Sequence, residues 1–257
     1  MLSMVNIYKT YNAGSTEENC LFTDFNLKIE NGEFVTVVGS NGSGKTSMLN
    51  IICGGIPIDK GQIILQGREF TSLPEYKRAS SIGRVYQNPA VGACPHMTVL
   101  ENLSIADNKN RPFNLTAGVN KKRISFYKEQ LETLGLGLED KLSMQVGLMS
   151  GGQRQALALL MSVMAQIDFL ILDEHTAALD PKTSENIMKL TDEIVRRKRI
   201  TTIMVTHNLR HAVDYGSRLI MMHDGRIVLD LKGNEKLNTK TEDLLQIFAK
   251  ISVELGN

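Results

Sequence analysis

The chain has 257 residues, of which 42% are hydrophobic and 22% are charged. A chain of this length buries about 70–75% of its unfolded surface, and its composition is globular, which excludes a disordered protein. The 29 Lys and Arg residues balance the 28 Asp and Glu residues to a net charge of +1. This balance provides no overall electrostatic field for binding nucleic acid or an anionic membrane.

The three cysteines, Cys20, Cys53 and Cys94, form no CxxC pair and fit no closed disulfide framework. We therefore expect free thiols in a reducing compartment. The start of the chain lacks the basic, apolar and small-residue pattern of a signal peptide. The longest apolar region, 156–172, is too short and too polar to span a bilayer. We expect a protein that stays in the cytosol and does not itself cross a membrane.

Short apolar or β-branched runs alternate along the chain with segments of helical periodicity. Strands are predicted at 5–8, 25–29, 34–38, 62–65, 169–172, 202–206, 218–222 and 227–229, and helices at 46–53, 123–134, 153–165, 182–197 and 208–215. Strands that alternate with helices indicate an α/β fold with a mainly parallel sheet. The strands at 34–38 and 169–172 are nearly all apolar, as is typical of strands covered on both faces.

The middle of the chain differs, because residues 89–150 contain helix candidates at 99–105 and 123–134 but no convincing strand. We interpret 89–150 as a helical subdomain inserted into an α/β core formed by residues 1–88 and 151–230. The whole chain, 1–257, is therefore predicted to be a single domain.

The last part of the chain, residues 231–257, predicts a short closing helix. Thr239 and Glu242 have the spacing of a capping box, in which each residue satisfies a free backbone N–H of the first turn. An apolar run follows them, which places the start of the predicted helix near Thr239.

A phosphate-binding loop follows the apolar strand 34–38 and opens the predicted helix 46–53. It matches G-x-x-x-x-G-K-[ST] in full, with Gly39, Ser40, Asn41, Gly42, Ser43, Gly44, Lys45 and Thr46. Glycines allow successive N–H groups to point at phosphate oxygens, and the helix N-terminus adds positive partial charge. Lys45 would contact the β- and γ-phosphates, and the Thr46 hydroxyl would ligate Mg²⁺. The motif in this context predicts a protein that binds a nucleoside triphosphate.

Two carboxylates, Asp173 and Glu174, end the apolar strand 169–172. The carboxyl edge of such a sheet is where ligands bind, so we expect both side chains beside the phosphate loop. Asp173 would then belong to the magnesium shell. Glu174 would orient the attacking water or accept its proton.

Residues 149–155, Met-Ser-Gly-Gly-Gln-Arg-Gln, resemble the LSGGQ signature of ATP-binding-cassette (ABC) ATPases, with Met149 in place of the first Leu. Other parts of the chain resemble that family in the expected order. Tyr11 resembles the aromatic residue that stacks on adenine, and Gln87 resembles the glutamine that senses Mg²⁺ and the γ-phosphate. Residues 177–180 resemble the D-loop, and His207 resembles the switch histidine.

This resemblance implies a P-loop NTPase fold with a RecA-like, mainly parallel sheet, an antiparallel β subdomain and an inserted helical subdomain. It implies ATP hydrolysis with ATP and Mg²⁺ as cofactors. The catalytic residues would be Glu174, His207 and Gln87, and the residues near the metal would be Thr46, Gln87 and Asp173.

The resemblance also implies a head-to-tail dimer. Each ATP would be held by one phosphate loop and by the partner's signature, made of Ser150, Gly151, Gly152 and Gln153. Because the chain has one copy of each motif, we expect a homodimer.

One position and one pair of residues depart from the family pattern. His175 stands where most relatives have Pro, and we expect a structural role for it. Thr46 and Ser47 reverse the commoner Ser-Thr order but keep a hydroxyl for Mg²⁺, with Ser47 also in the nucleotide site.

His207 and His211 have zinc-ligand spacing, but Asn208 replaces the Glu of the H-E-x-x-H pattern, so we expect no zinc site.

A separate single cassette resembles the ATPase subunits of bacterial importers. The resemblance implies a peripheral subunit at the cytoplasmic face of the membrane, an integral permease that contacts residues 88–105, and an extracytoplasmic substrate-binding lipoprotein. Residues 173–183 and 216–226 resemble an importer group for which aromatic amino acids are one suggested cargo. The alternative is a soluble ABC ATPase that acts on ribosomes or nucleic acid, although such proteins usually carry two cassettes or a long coiled-coil insertion.

Overall fold

The computed structural model describes residues 1–111 and 118–254, which form two sheets and a set of surrounding helices. The strands are β1 (Leu2–Tyr11), β2 (Asn19–Ile29), β3 (Phe34–Gly39), β4 (Lys60–Leu65), β5 (Arg68–Glu69), β6 (Ile82–Val85), β7 (Phe169–Asp173), β8 (Thr201–Val205), β9 (Arg218–His223) and β10 (Arg226–Lys232). The helices are α1 (Lys45–Cys53), α2 (Glu75–Arg78), α3 (Pro89–Gly92), α4 (Val99–Asp107), α5 (Ile124–Glu132), α6 (Gly151–Met164), α7 (Pro181–Lys198), α8 (Leu209–Asp214), α9 (Gly233–Asn238) and α10 (Thr241–Glu254).

The larger sheet has the order β10-β9-β3-β8-β7-β6. All its neighbouring strands are parallel except the β9–β10 hairpin. Val205 of β8 pairs with Val37 on one side and Asp173 on the other, so the carboxyl ends of β3, β8 and β7 lie level. The loops after these three strands therefore meet at one edge of the sheet.

The larger sheet is covered on both faces, and alternate residues of its strands face different cores. Val35, Val37 and Ile171 pack with α1 and with the smaller, antiparallel sheet, whose order is β2-β1-β4-β5. Leu170 and Leu172 pack on the opposite face, against α6, α7 and the helices of 89–150. These buried faces explain why the strands read as continuous apolar runs. The predicted α/β class is confirmed.

The described part of 89–150 contains helices and a single isolated bridge between Thr98 and Gln145, with no strand. A buried carboxylate, Asp107, ties α4 to α5, because it accepts hydrogen bonds from Arg111, Arg123 and the Tyr127 hydroxyl. The Tyr127 ring is fully buried in the same core as α6. This helical segment therefore packs as one unit against α6.

Four short elements were not predicted, β5, β6, α2 and α3, and two predictions about the end of the chain were wrong. The closing segment forms two helices, α9 and α10, and its last three residues lie outside the described part. The capping box is not formed, because the Thr239 hydroxyl donates to the Glu235 carbonyl, while Asp243 accepts from the Lys240 N–H just before α10. Within the described residues, no helix has the length and apolar character needed to cross a bilayer.

Candidate active site

The phosphate loop is held in shape by its own lysine. The Lys45 ammonium donates to the carbonyl oxygens of Gly39 and Ser40, both at 2.8 Å, and to the Ser43 hydroxyl at 3.3 Å. Burial lowers the pKa of Lys45, and the nearby Glu174 carboxylate opposes that shift. A buried cation thus lies at the bottom of the loop and favours an anionic ligand.

Glycines shape the loop at two points. A Cβ on Gly39 would lie 2.3 Å from the Met222 carbonyl oxygen, so only glycine lets β3 pass this close to β9. Gly44, the N-cap of α1, has φ 94° and offers no side chain to cap the helix. The first N–H groups of α1 are therefore available to an anion, as at other phosphate-binding helix N-termini.

Glu174 and His207 face each other above the phosphate loop. The Glu174 Oε1 and His207 Nε2 atoms are 2.8 Å apart. Glu174 has φ 48°, in the left-handed region, and its N–H donates to the Val205 carbonyl at the end of β8. Backbone strain of this kind is often found at functional sites.

Both side chains and the loop line one pocket of about 170 Å³. The lining residues are Asn41, Gly42, Ser43, Gly44, Lys45, Thr46, Ser47, Glu174 and His207. Of the other predicted residues, Tyr11 is connected to this site, because its hydroxyl donates to the Ser47 hydroxyl at 3.3 Å. The Tyr11 ring thereby lies at the side of α1, next to the loop.

Asp173, the predicted metal ligand, is held by an arginine that the sequence did not single out. The Arg84 Nη2 atom donates to Asp173 Oδ2 at 2.7 Å, and its Nη1 atom donates to the side-chain oxygen of Asn50 at 2.8 Å. Arg84 lies on β6, next to β7, and Asn50 lies on α1. No local signal marks Arg84, because residues 82–85, Ile-Gly-Arg-Val, do not read as an apolar strand.

Six predicted elements are absent from the lining of this pocket, namely Tyr11, Gly39, Ser40, Asp173, Gln87 and the signature. Gln87 follows β6 and its side chain is exposed. The signature lies at the start of α6, where Ser150 and Gln153 form a reciprocal capping box: each side chain accepts a hydrogen bond from the other residue's N–H at 3.2 Å.

The signature contacts the D-loop side of the same chain. A Cβ on Gly152 would lie 2.4 Å from Thr183 Cγ2, and one on Gly151 would lie 3.3 Å from Leu179. Thr183 is in the first turn of α7, where its N–H donates to the N-cap Asp180. Gly152 is thus required for packing inside the chain, which the sequence interpretation had not considered.

His175 is buried away from the pocket. Its Nε2 atom lies 3.2 Å from the Thr191 hydroxyl of α7. Burial, with a contribution from His211, lowers the pKa of His175 to about 3, so the ring is neutral at pH 7. These contacts fit the expected structural role.

Within the described residues, no group of three or more His, Cys, Asp or Glu side chains could hold a metal ion. His207 contacts Glu174, whereas His211 contacts Glu185.

Comparison with known proteins agrees with this geometry. The ABC transporter family matches residues 22–177. The chain is 49% identical over 248 residues to a tyrosine transport ATP-binding protein of Clostridioides difficile, covering 96% of this chain and 98% of the relative. It is 33% identical over 231 residues to the spermidine/putrescine import ATP-binding protein of Haemophilus influenzae, covering 90% of this chain and 57% of that longer relative.

The fold is also that of solved ABC cassettes. A dimeric ATP-binding cassette in a post-hydrolysis state with ADP and Pi superimposes with a TM-score of 0.75 at 30% identity, covering 90% of this chain and 98% of that one. The fold and pocket define a P-loop ATPase of the cassette type. The chain belongs to the ABC transporter family. It is the ATP-binding, ATP-hydrolysing subunit of an ABC transporter, which confirms the predicted family, fold and enzyme class.

Proposed function

We propose that this chain powers the import of a small solute, an amino acid of the tyrosine type, as a peripheral homodimer beneath a separate membrane permease. The observation that carries the hydrolytic part is the Glu174–His207 pair, 2.8 Å apart, above the phosphate loop. The identity of 49% with a tyrosine transport ATP-binding protein supports the cargo class.

The site residues act in hydrolysis as follows. Tyr11 stacks on adenine, and the loop from Gly39 to Ser47 binds the phosphates, with Lys45 facing the β- and γ-phosphates. Glu174 takes the proton of the attacking water, and His207 holds Glu174 and the γ-phosphate in place. Because Lys45, Glu174, His207 and the loop line one pocket, they need little rearrangement to stabilise charge on the γ-phosphate.

The donor set fits a magnesium ion. Mg²⁺ in nucleotide sites is held by one or two protein oxygens together with phosphates and water, so a protein cage is not required. The Thr46 hydroxyl and the Asp173 carboxylate are such oxygens. Arg84 contacts Oδ2 of Asp173, and within the described residues no hydrogen bond reaches Oδ1. When bound, the ion would neutralise charge on the β- and γ-phosphates.

Two copies of the chain would complete two sites. Gln87 and the segment Ser150–Gln153 lie outside the pocket of their own chain, and related cassettes form dimers. In a head-to-tail dimer the partner's Ser150–Gln153 would close each ATP site, and Gln87 would reach the Mg²⁺ and γ-phosphate as the helical subdomain 89–150 moves. Closure would be transmitted to the permease through residues 88–105. An extracytoplasmic binding protein would deliver the cargo on the other side.

The test is a pull-down from detergent-solubilised membranes of the native host, with tagged Glu174→Gln as bait in the presence of ATP. Glu174→Gln should trap the closed dimer, and Lys45→Ala, which should bind ATP much more weakly, serves as the matched bait at an ATP concentration too low to occupy it. An integral membrane protein recovered in stoichiometric amount supports the proposal. Ribosomal or nucleic-acid-bound partners without a membrane protein would favour the soluble alternative instead.

The cargo is tested separately by uptake of radiolabelled tyrosine in cells that lack the chain. Complementation with the wild-type chain should restore uptake, and complementation with Glu174→Gln should not. Normal tyrosine uptake in the deletion strain, or uptake restored equally by both chains, would contradict the proposed cargo.

A further inference from the structure

Arg84 connects the two elements that carry the proposed metal ligands. It is the third residue of β6, and its guanidinium reaches Asp173 at the end of β7 and Asn50 on α1. The side chains of Arg84 and Asp173 are only 13% and 15% exposed, so the pair is largely shielded from water. A contact of this kind is weakened less by salt than a surface ion pair.

The guanidinium is fixed on several sides. Its central carbon lies 4.7 Å from the ring centroid of Tyr86, and two of its nitrogens donate to different elements. A planar, five-donor group can make these contacts together, whereas a lysine ammonium at the same place could reach only one partner well. The geometry of Arg84, in addition to its charge, therefore determines what it holds.

Asn50 and Thr46 are four residues apart on α1, so they lie on the same face of that helix. By holding Asn50, Arg84 fixes the position of the helix face that presents the Thr46 hydroxyl. By holding Asp173 Oδ2, it leaves Oδ1 as the oxygen open to a cation. One guanidinium therefore sets the spacing between the two proposed oxygen ligands.

We propose that Arg84 is a positioning residue for the divalent cation that enters with ATP: it orients Asp173 directly and Thr46 through Asn50. This inference rests on the proposed role of Asp173 as a metal ligand. Groups that orient metal ligands from behind typically change metal affinity or activity by about 10–100-fold when they are replaced. The expected change is thus confined to the Mg²⁺-dependent part of ATP binding.

The test measures the affinity for a fluorescent ATP analogue with Mg²⁺ and with EDTA, all in a Glu174→Gln background so that no nucleotide is hydrolysed. Arg84→Lys keeps the positive charge but loses the planar guanidinium that donates to both Asp173 and Asn50. We expect its affinity in Mg²⁺ to fall about 10–100-fold, with little change in EDTA. Asn50→Ala, which leaves the Arg84–Asp173 contact intact, should give a smaller loss of the same kind and serves if Arg84→Lys folds poorly.

The matched control is Arg218→Lys. Arg218 forms an equally close pair with Asp230, at 2.6 Å, but it lies at the start of β9, away from the carboxyl edge of the sheet. Arg218→Lys should leave nucleotide affinity unchanged with and without Mg²⁺. Circular dichroism and thermal unfolding of each variant show that the compared proteins are folded.

The outcomes separate the inference from the function on which it rests. The inference fails if Arg84→Lys binds the analogue in Mg²⁺ as the parent does, or if it loses equal affinity in EDTA, because the arginine would then act on the phosphate loop. Asp173→Asn tests the underlying role. If Asp173→Asn keeps the full gain in affinity from Mg²⁺, Asp173 is not a metal ligand; if it loses that gain while Arg84→Lys does not, only the inference about Arg84 is wrong.

Discussion

The phosphate loop and the signature are both glycine-containing turns that open a helix, yet their helix N-termini differ. At α1 the N-cap is Gly44, which has no side chain to satisfy the first N–H groups. At α6 the N-cap is Ser150, and it forms a reciprocal capping box with Gln153. The first helix end is open to an external anion, and the second already has partners within its own chain.

In the proposed shared site, the phosphate loop is therefore the open half, and the signature, whose helix N-terminus is already capped, is the capped half. The open half has Lys45, Glu174 and His207 in place around a pocket. At the signature, any contact with a partner's ATP would have to replace the hydrogen bonds that Ser150 and Gln153 make to each other. We therefore expect a smaller net gain from nucleotide contact at the signature than at the phosphate loop.

The largest expected effect tests the chemistry of the open half. Glu174→Gln removes the group that accepts a proton from water, so turnover should fall roughly 10²–10⁴-fold while ATP binding persists. Steady-state phosphate release and light-scattering measurements of dimer mass, with ATP present, provide the two readouts. Unchanged turnover would falsify the role assigned to Glu174.

Lys45→Ala tests binding in the same half. It removes both a cation for the phosphates and the group that holds the Gly39 and Ser40 carbonyls. We expect ATP affinity to fall by roughly 30–150-fold, corresponding to about 2–3 kcal/mol for a lost charged hydrogen-bond donor. Equilibrium dialysis measures it, with Lys198→Ala, remote from the pocket, as the control. Normal affinity of Lys45→Ala would refute the assignment.

Ser150→Arg tests the capped half. The isolated subunit should still bind ATP, because Ser150 does not line its pocket, but hydrolysis should be blocked. Mixing Ser150→Arg with Lys45→Ala should restore activity to about a quarter of the wild-type rate per chain, since half of the dimers then contain one intact site. An inactive mixture, despite demonstrated heterodimers, or a monodisperse Ser150→Arg monomer that hydrolyses ATP would contradict the shared site.

The smallest effect separates two reasons for a glycine in the signature. Gly152→Ala would place a Cβ 2.4 Å from Thr183 Cγ2, and this crowding should lower the free energy of unfolding by about 1 kcal/mol. Adding Thr183→Ser removes the methyl group and should restore stability in urea unfolding. If ATPase activity returns with stability, Gly152 serves packing alone; if activity stays low, the glycine also serves the partner's nucleotide.

The contiguous parts of the site were predictable from the sequence. The phosphate loop, Asp173 and Glu174 follow apolar strands, so local pattern alone fixed both their element and their edge of the sheet. Arg84 could not be predicted, because its role depends on β6 lying beside β7, and four residues interrupted by Gly83 and Arg84 do not read as a strand. The Thr239–Glu242 capping box failed because Asp243 offers a competing carboxylate one residue further on.

The central strand of the larger sheet has one further consequence, for the order in which the protein can fold during synthesis. Strand β3, which ends in the phosphate loop, is paired only with β8 and β9, and both come from the last quarter of the chain. The antiparallel sheet can assemble early from β1, β2 and β4, whereas β3 emerges from the ribosome long before its neighbours exist. Until residues 201–223 are made, the backbone N–H and C=O groups along both edges of β3 have no strand to pair with, and this long-range pairing makes the ATP site among the last parts of the molecule to form.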